Sequence, residues 1–425
     1  MRGVMAAVLL AVFSILSAPL PLYAGEAETL LEQMRERLEL YGFVESRVGA
    51  RTGADPDEKA LSMAETRLQV EAFTGTDSLD LKYRGDIRID AVAECVAYET
   101  REAWAFSRPS DSLDIKVGRQ TLTWGTGGLV FLNDLFPKDW QSFFIGRDAE
   151  YLKAPSTSAK AGLFSDVANL DIVYTPKFEP DRFVNGEYLS YWDASRQKTV
   201  GNKDLLRTDT PDRWFVDDEF AARLYRNVED YELAAYLYRG FWKSPGGTDA
   251  QGRSIFPELN AYGASIRGTL GAGIGNLEFS YYHSPESRGG RNPSARNSEI
   301  RYLAGYAREV WSDCNVWVQY YLEQMLDYGE YRARVDAGKP RDEFRHVLTL
   351  QVTQLLMNQN LTLNMDAYYS PSDRDAFLRP SASYKISDRT TASLGANVFF
   401  GESRQTFFGQ FERNSNVYMA LRYSF

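Results

Sequence analysis

The chain ends in NSNVYMALRYSF, residues 414–425, where apolar and polar side chains alternate without a break. Alternation with a period of two predicts a β-strand that has one apolar face. The C-termini of soluble domains tend to fray into solvent, whereas this pattern continues to a terminal aromatic residue. We therefore expect a strand that is paired along its whole length. Its apolar face consists of Val417, Met419, Leu421, Tyr423 and Phe425.

The same pattern recurs along the chain. The clearest case is LDLKYRGDIRIDA at 79–91, where every second residue from Leu79 to Ala91 is apolar or glycine and the residues between are charged. Short turns rich in Gly, Asn, Asp and Ser alternate with longer connections between such segments. This alternation is typical of an outer-membrane barrel, with short periplasmic turns and long extracellular loops. The largest connections are 125–150, 179–216, 243–258, 284–297 and 326–342.

We predict an all-β fold, a transmembrane antiparallel up-and-down β-barrel of about 18 strands. The segments at 98–107 and 217–226 are the weakest, and losing both would leave sixteen. An even number places both termini on the periplasmic side. The alternative is a soluble β-sandwich or a secreted barrel. The predicted strand cores are 38–50, 62–73, 79–91, 98–107, 113–124, 154–164, 168–178, 217–226, 231–242, 260–270, 276–283, 298–310, 315–325, 343–356, 361–370, 376–386, 391–400 and 415–425.

The N-terminus divides the chain into three parts. Arg2, a short apolar run and small residues near Ala24 predict a secretory signal peptide over 1–24, with a retained anchor helix as the alternative. Residues 25–37 form a short periplasmic segment, either an amphipathic helix or a disordered lead. Residues 38–425 form the barrel. We expect the mature chain in the outer membrane of a Gram-negative bacterium, in contact with outer-membrane lipid and lipopolysaccharide.

Composition excludes several classes of function. The formal net charge is −10, which argues against a nucleic-acid-binding protein. Cys95 and Cys314 are the two cysteines, so either one long-range disulfide or two thiols are expected. The sequence contains no zinc spacing, haem-attachment motif or dinucleotide fingerprint. We expect no cofactor and no metal site. A Ca²⁺ site is the alternative, although its candidate ligands lack the spacing of an EF-hand loop; they are Asp204, Asp209, Asp212, Asp217 and Asp218.

The stretch DIKVGRQTLTWGTGGLVFLNDLFPKDW, preceded by TREAWAF, resembles a family of proteobacterial outer-membrane proteins described as a domain of unknown function. The residues that carry the resemblance are Gly118, Arg119, Gln120, Trp124, Gly125, Asn133 and Pro137. The resemblance implies a porin-like barrel in the outer membrane. Likeness to outer-membrane proteins in general also implies that the terminal strand, through Tyr423 and Phe425, is recognised by the barrel-assembly machinery.

A barrel of 16–18 strands is wide enough to hold water, so its inner face should be polar. We predict a set of inward-facing charges, here named the lumen charge ladder. Because signs are mixed on adjacent strands, these charges either pair across the wall or contact a solute. The lumen charge ladder consists of Arg67, Lys82, Arg84, Asp86, Arg88, Arg267 and Arg379.

The 125–150 connection is the leading candidate for a pore constriction. It opens with three glycines and is too apolar to lie free in water, so we expect it to fold into the barrel. An external cap or a partner-docking loop is the alternative. Apolar residues beside charges suggest an amphipathic or aromatic solute. The predicted constriction residues are Arg119, Phe131, Asp134, Phe136, Lys138, Asp139 and Trp140.

The predicted function is therefore a porin-like channel for the passive passage of small solutes. One alternative is a non-conducting barrel that moves hydrophobic molecules with periplasmic partners. A lipase is a weaker alternative, since only His283 and His346 could serve as a base, with Ser280 or Ser284 as the nucleophile. The sequence leaves the solute, the direction of transport and the oligomeric state open.

Overall fold

A computed structural model describes residues 33–194, 196–334 and 341–425, and within them the chain is built mainly of long antiparallel strands. The predicted signal peptide and most of the segment before the barrel lie outside the described residues. Residues 33–36 are helical. None of the described helices is long and apolar enough to cross a membrane.

Eighteen strands form the barrel wall. They are β1 Glu39–Arg51, β2 Leu61–Gly75, β3 Leu79–Asp90, β4 Cys95–Ser110, β5 Leu113–Gln120, β6 Ser156–Leu163, β7 Asn169–Thr175, β8 Glu219–Val228, β9 Tyr231–Phe241, β10 Glu258–Leu270, β11 Gly273–His283, β12 Glu299–Trp311, β13 Cys314–Met325, β14 Phe344–Leu356, β15 Leu361–Ser370, β16 Asp375–Ser387, β17 Thr390–Gly401 and β18 Asn416–Ser424. The fold prediction is confirmed, including the two strands with the weakest sequence signal. The predicted 113–124 strand was too long, since β5 ends at Gln120 where the chain turns inward.

Each strand pairs antiparallel with the next, and β18 pairs with β1 to close the sheet. Phe43 lies opposite Ser424, and Arg51 lies opposite Asn416. The backbone N–H of Phe425 donates to the carbonyl of Gly42 at 2.9 Å, so the pairing continues to the last residue. Closure satisfies the backbone groups that an open edge would leave unpaired, at several kcal/mol each in hydrocarbon.

The long connections all lie at one end of the barrel, where the connections after β3 and β15 contain only four residues each. The turns after β4, β8, β10 and β12 each contain two residues, whereas 121–155 and 176–218 follow β5 and β7. The start of β1 and the end of β18 lie beside each other, at the end of the barrel with the short turns. The long loops carry the remaining short elements. These are helices Trp140–Ile145 and Tyr328–Arg334, 3₁₀ turns Ala149–Leu152, Pro285–Gly290 and Gly409–Asn414, and strands Tyr191–Asp193, Lys198–Val200, Thr208–Asp209, Gly247–Thr248 and Ser254–Ile255.

The wall has an apolar outer face and a polar inner face, as the period of two requires. On β18, Val417, Met419 and Leu421 are exposed on the outside, whereas Tyr418 and Ala420 are buried inside. The inside of the barrel nevertheless contains a hydrophobic core. It joins wall residues such as Phe377 and Phe399 to residues of the 121–155 connection and of the long loops at the mouth.

Candidate functional site

The connection 121–155, here named the inner loop, enters the barrel after β5. Gly125 has φ +76°, and a Cβ there would lie 3.2 Å from the carboxylate of Glu278. Glu278, on the inner face of β11, accepts hydrogen bonds from the Thr126 hydroxyl at 2.7 Å and the Asn133 amide at 2.9 Å. A side chain at Gly125 would crowd this acceptor, so the glycine suits the sharp bend.

The first half of the inner loop follows the wall from β11 to β15. Gln319 on β13 accepts a hydrogen bond from the backbone N–H of Leu129 at 3.3 Å. The hydroxyl of Tyr368 donates to the carbonyl of Leu129 at 3.0 Å, and that of Tyr282 donates to the carbonyl of Leu132 at 2.5 Å. Wall side chains therefore satisfy backbone groups of a loop that has no sheet partner over this stretch.

The short helix Trp140–Ile145 packs its aromatic residues against β15–β17. The side chain of Asp139 caps the helix by accepting from the Ser142 N–H at 2.7 Å. Phe144 is 2% exposed. Its ring centroid lies 5.3 Å from Phe377, 5.6 Å from Phe399 and 5.4 Å from Phe411, and the first two contacts are edge-to-face. Such pairs add about 0.5–1.5 kcal/mol each beyond burial.

The last part of the inner loop is anchored by ion pairs to the wall near the β1–β18 closure. Arg147 donates to the Glu65 carboxylate on β2 at 2.7 and 3.0 Å, and both side chains are buried. Asp148 accepts from Arg47 on β1 and from Arg422 on β18. The guanidinium of Arg379 donates to the carbonyl of Arg147 at 2.5 Å. A loop with these contacts is held on several sides of the lumen.

The structure brings most of the predicted constriction residues together inside the barrel, where they mainly bind one another and the long-loop residues. The Lys138 ammonium lies 3.0 Å from the Asp134 carboxylate and 4.9 Å from the ring centroid of Phe131. Asp139 accepts from Arg182 at 3.1 Å. The indole of Trp140 donates to Asp181 at 3.1 Å, and Phe136 packs edge-on against Trp124 at 5.0 Å.

Arg119 does not join this group. It lies on the same face of β5 as Val117, which is 49% exposed on the outside of the wall. Its guanidinium donates to the Glu179 carboxylate at 2.9 Å and to the Thr100 carbonyl at 2.7 Å. The prediction that Arg119 faces the constriction is corrected, because strand alternation places it outside. The parity shared with Val117 was the sequence signal that could have shown this.

The lumen charge ladder consists largely of ion pairs along the wall. Arg67 donates to Asp86 at 2.7 Å, and its guanidinium stacks 4.0 Å from the ring centroid of Tyr151 on the inner loop. Lys82 and Arg84 both contact Glu71, at 2.9 and 2.6 Å. The other members are placed as follows: Arg88 contacts Asp90 at 2.8 Å, Arg379 lies 3.6 Å from Asp366, and Arg267 is exposed near the end of β10.

The inward-facing charges differ in exposure according to their depth inside the barrel. Those beside the inner loop, such as Arg67 and Glu65, are buried, whereas Lys82, Glu71 and Arg84 nearer the short turns have side chains 17–24% exposed. Cations on this open part also face aromatic rings. Lys116 lies 4.0 Å from the ring centroid of Trp104. The lumen below the inner loop therefore presents both signs of charge beside aromatic surface.

Three loops meet over the mouth of the barrel, through contacts that were not predicted from the sequence. Asn414 donates its amide to the carbonyl of Ser190 at 2.9 Å, and the Ser190 hydroxyl donates to Asp55 at 2.6 Å, so three loops meet at one point. Nearby, the buried carboxylate of Glu58 lies 3.7 Å from Arg51. Burial raises the pKa of Glu58 to about 7, while the charge of Arg51 opposes the shift.

The histidine and serine residues considered for a lipase contact neighbours in the wall. The His283 ring lies 3.4 Å from the Tyr281 hydroxyl, and the Ser280 hydroxyl donates to the Tyr262 carbonyl at 3.5 Å. Within the described ranges, no group of three or more His, Cys, Asp or Glu side chains could hold a metal ion. Both Cys95 and Cys314 are free thiols.

Comparison with solved structures agrees with the fold. OccK3 (OpdO) of Pseudomonas aeruginosa aligns with a TM-score of 0.56 at 10% identity, over 94% of this chain and 98% of that one. OccAB3 of Acinetobacter baumannii aligns at 0.55 and 10% identity, over 91% and 99%. OccD3 (OpdP) of P. aeruginosa aligns at 0.53 and 10% identity, over 91% of each chain. At this identity the likeness establishes the fold alone, a closed 18-stranded antiparallel barrel.

Comparison by sequence gives no further assignment. No family model matches the chain, and no curated protein matches it.

Proposed function

We propose that the protein is an outer-membrane channel for the passive passage of small solutes, with the inner loop setting the width of the pore. The observation that carries the proposal is the position of the inner loop. It lies inside a barrel of a size that holds water and contacts the inner faces of β1, β2, β11, β13 and β15–β18.

The exposed inner wall favours solutes that carry both charge and an aromatic or apolar group. Paired charges such as Lys82 and Glu71 can release each other and bind the opposite charges of a zwitterion. The free-energy cost is small, because both side chains are already partly hydrated. Rings such as Trp104, which already contacts a cation, offer a face to an aromatic solute. The proposed orientation has the short turns and both termini in the periplasm. The earlier resemblance to porin-like outer-membrane proteins supports the same location.

The test is single-channel conductance of the refolded mature chain in a planar bilayer. A matched variant replaces 131–144 by Gly and Ser residues of equal number, which keeps the chain connected but removes the aromatic helix. We expect discrete conductance steps that become larger in the variant. A barrel whose electrophoretic mobility shifts on heating, yet which passes no current in either form, would refute the channel and favour the trafficking alternative.

Solute class is tested separately by liposome swelling. We expect aromatic amino acids to enter faster than neutral sugars of equal mass through the wild-type chain. Equal rates would leave the channel in place but reject the proposed selectivity.

A further inference from the structure

The wall is short over β5, β6 and β7. These strands contain eight, eight and seven residues, whereas β10, β12 and β14 contain thirteen each. At a rise of about 3.3 Å per residue and a tilt of about 40°, seven residues span roughly 18 Å along the barrel axis. The apolar band of an outer-membrane barrel is about 25 Å tall, so the strands in this part of the wall fall short of that height by roughly 7 Å.

Three consecutive exposed apolar residues lie directly above this sector. Trp214, Phe215 and Val216 form the tip of a turn in the 176–218 loop, and they are 54%, 70% and 60% exposed. We call these three residues the apolar tip. Exposed apolar residues are normal when scattered singly, but three large ones in a row on an ordered turn indicate a surface that is covered by something.

The apolar tip is fixed to the rim rather than free to rearrange. The N–H of Phe215 donates to the carbonyl of Pro176, one residue past the end of β7, at 2.7 Å. Arg213 closes the turn by donating to both oxygens of Asp217, at 2.7 and 3.0 Å. Phe215 also has φ +61°, a conformation that is rare for an aromatic residue. A turn that holds aromatic side chains outward under strain points to a use for them.

The apolar tip extends the outer face of the wall. Phe220 at the start of β8 lies opposite Tyr174 on β7, and both lie on the outer face. Trp214 lines a recess of about 450 Å³ together with Arg119 and Thr157, which are also on the outer face. The Lys177 ammonium lies 5.5 Å from the Trp214 ring centroid, an arrangement suited to the boundary between acyl chains and head groups.

We infer that the apolar tip inserts into the outer leaflet and completes the lipid-facing belt where β6 and β7 are too short to span it. The partner is the acyl region of an outer-membrane lipid. A lipid is favoured over a protein partner because the apolar tip lies just beyond the end of β7 and next to the outer apolar face of β7 and β8. The inference does not depend on whether the barrel conducts.

The first test uses tryptophan fluorescence of the full chain in phosphatidylcholine vesicles with brominated acyl chains. The difference between wild type and Trp214→Phe isolates the signal of this residue. We expect strong quenching by the brominated lipid and little by aqueous iodide. The control, Trp192→Phe, removes an indole from the hairpin at the mouth and should leave the lipid-quenched signal unchanged. Quenching of the Trp214 signal by iodide and not by lipid would overturn the inference.

The second test varies membrane thickness. Ser replaces both Trp214 and Phe215, and thermal stability is compared in vesicles with C12 and C18 acyl chains. If the apolar tip corrects a mismatch, the variant should lose stability in the C18 vesicles and keep it in the C12 vesicles. An equal effect in both would mean that the apolar tip supports only the loop.

Discussion

Truncating Phe144 to Ala should loosen the inner loop without disturbing the wall. The side chain is 2% exposed and contacts rings from β16, β17 and the 402–415 loop. Phe→Ala substitutions in a packed core cost about 3–5 kcal/mol, through lost burial and the cavity left behind. This loss destabilises only the state in which the helix Trp140–Ile145 is packed against the wall. When the inner loop is displaced, residue 144 is exposed in both wild type and variant, so the substitution does not change the free energy of that state.

A loss of about 3 kcal/mol corresponds to roughly a 100-fold rise in the ratio of displaced to seated loop, since about 1.4 kcal/mol is tenfold. Single-channel recording should therefore show Phe144→Ala entering a larger-conductance state about 100-fold more often than wild type. The matched control is Phe400→Ala, which removes the same atoms from the lipid-facing side of β17, where Phe400 is 49% exposed.

A folded Phe144→Ala barrel with wild-type current traces would refute this prediction. That result would mean that the helix does not limit the current, even though it is packed inside the barrel. An equal change in Phe400→Ala would instead assign the effect to general destabilisation of the wall.

Three further predictions concern the anchors, the closure and the mouth. Arg147→Met should cost about 1.5–3 kcal/mol in thermal unfolding, because the buried Glu65 carboxylate loses its closest donor but keeps Arg67 at 3.2 Å and Arg88 at 3.3 Å. Arg374→Met breaks an exposed pair worth about 0–1 kcal/mol. Gly42→Val should reduce the fraction of heat-modifiable barrel, since its Cβ would lie 2.6 Å from both the Phe425 ring and the Gln69 carbonyl, and Gly53→Val, in open space, should not. The folded mouth binds a proton on Glu58 up to about pH 7, whereas the unfolded group loses it near pH 4.5. Protection of the 176–218 loop from protease should therefore fall as the pH rises from about 4.5 to about 7 in wild type and stay constant in Glu58→Gln. A flat wild-type profile would contradict this.

The strands could be predicted from the sequence because a barrel wall alternates lipid-facing apolar residues with lumen-facing polar residues. Each pair of neighbours, such as Ile87 and Arg88, faces lipid and lumen in turn, and turn residues mark the ends. The entry of the inner loop was predictable from its composition, since so many aromatic residues require burial. The contacts that hold it inside the barrel were not, because Asp148 binds Arg422 across 274 residues and Leu129 binds Tyr368 across 239.

The site was predicted less well than the fold, for a related reason. Asp134 and Lys138 are four residues apart, and their pairing could be expected. The contact of Ser190 with Asp55 and Asn414 depends on how three loops meet over the mouth, and no local pattern encodes it. The motif around Arg119 does not encode the direction of its side chain, whereas the parity that Arg119 shares with Val117 does.

The long sequence separation of the inner-loop contacts has a consequence for how the protein is made. The last strands supply Arg379 and Arg422, which bind Arg147 and Asp148 across separations of 232 and 274 residues. Until those strands arrive, the aromatic helix has no surface to cover it, and exposed apolar segments of this kind favour aggregation. The inner loop must therefore be protected from aggregation while the wall is still open. It can reach its final packing only when the last strand is inserted.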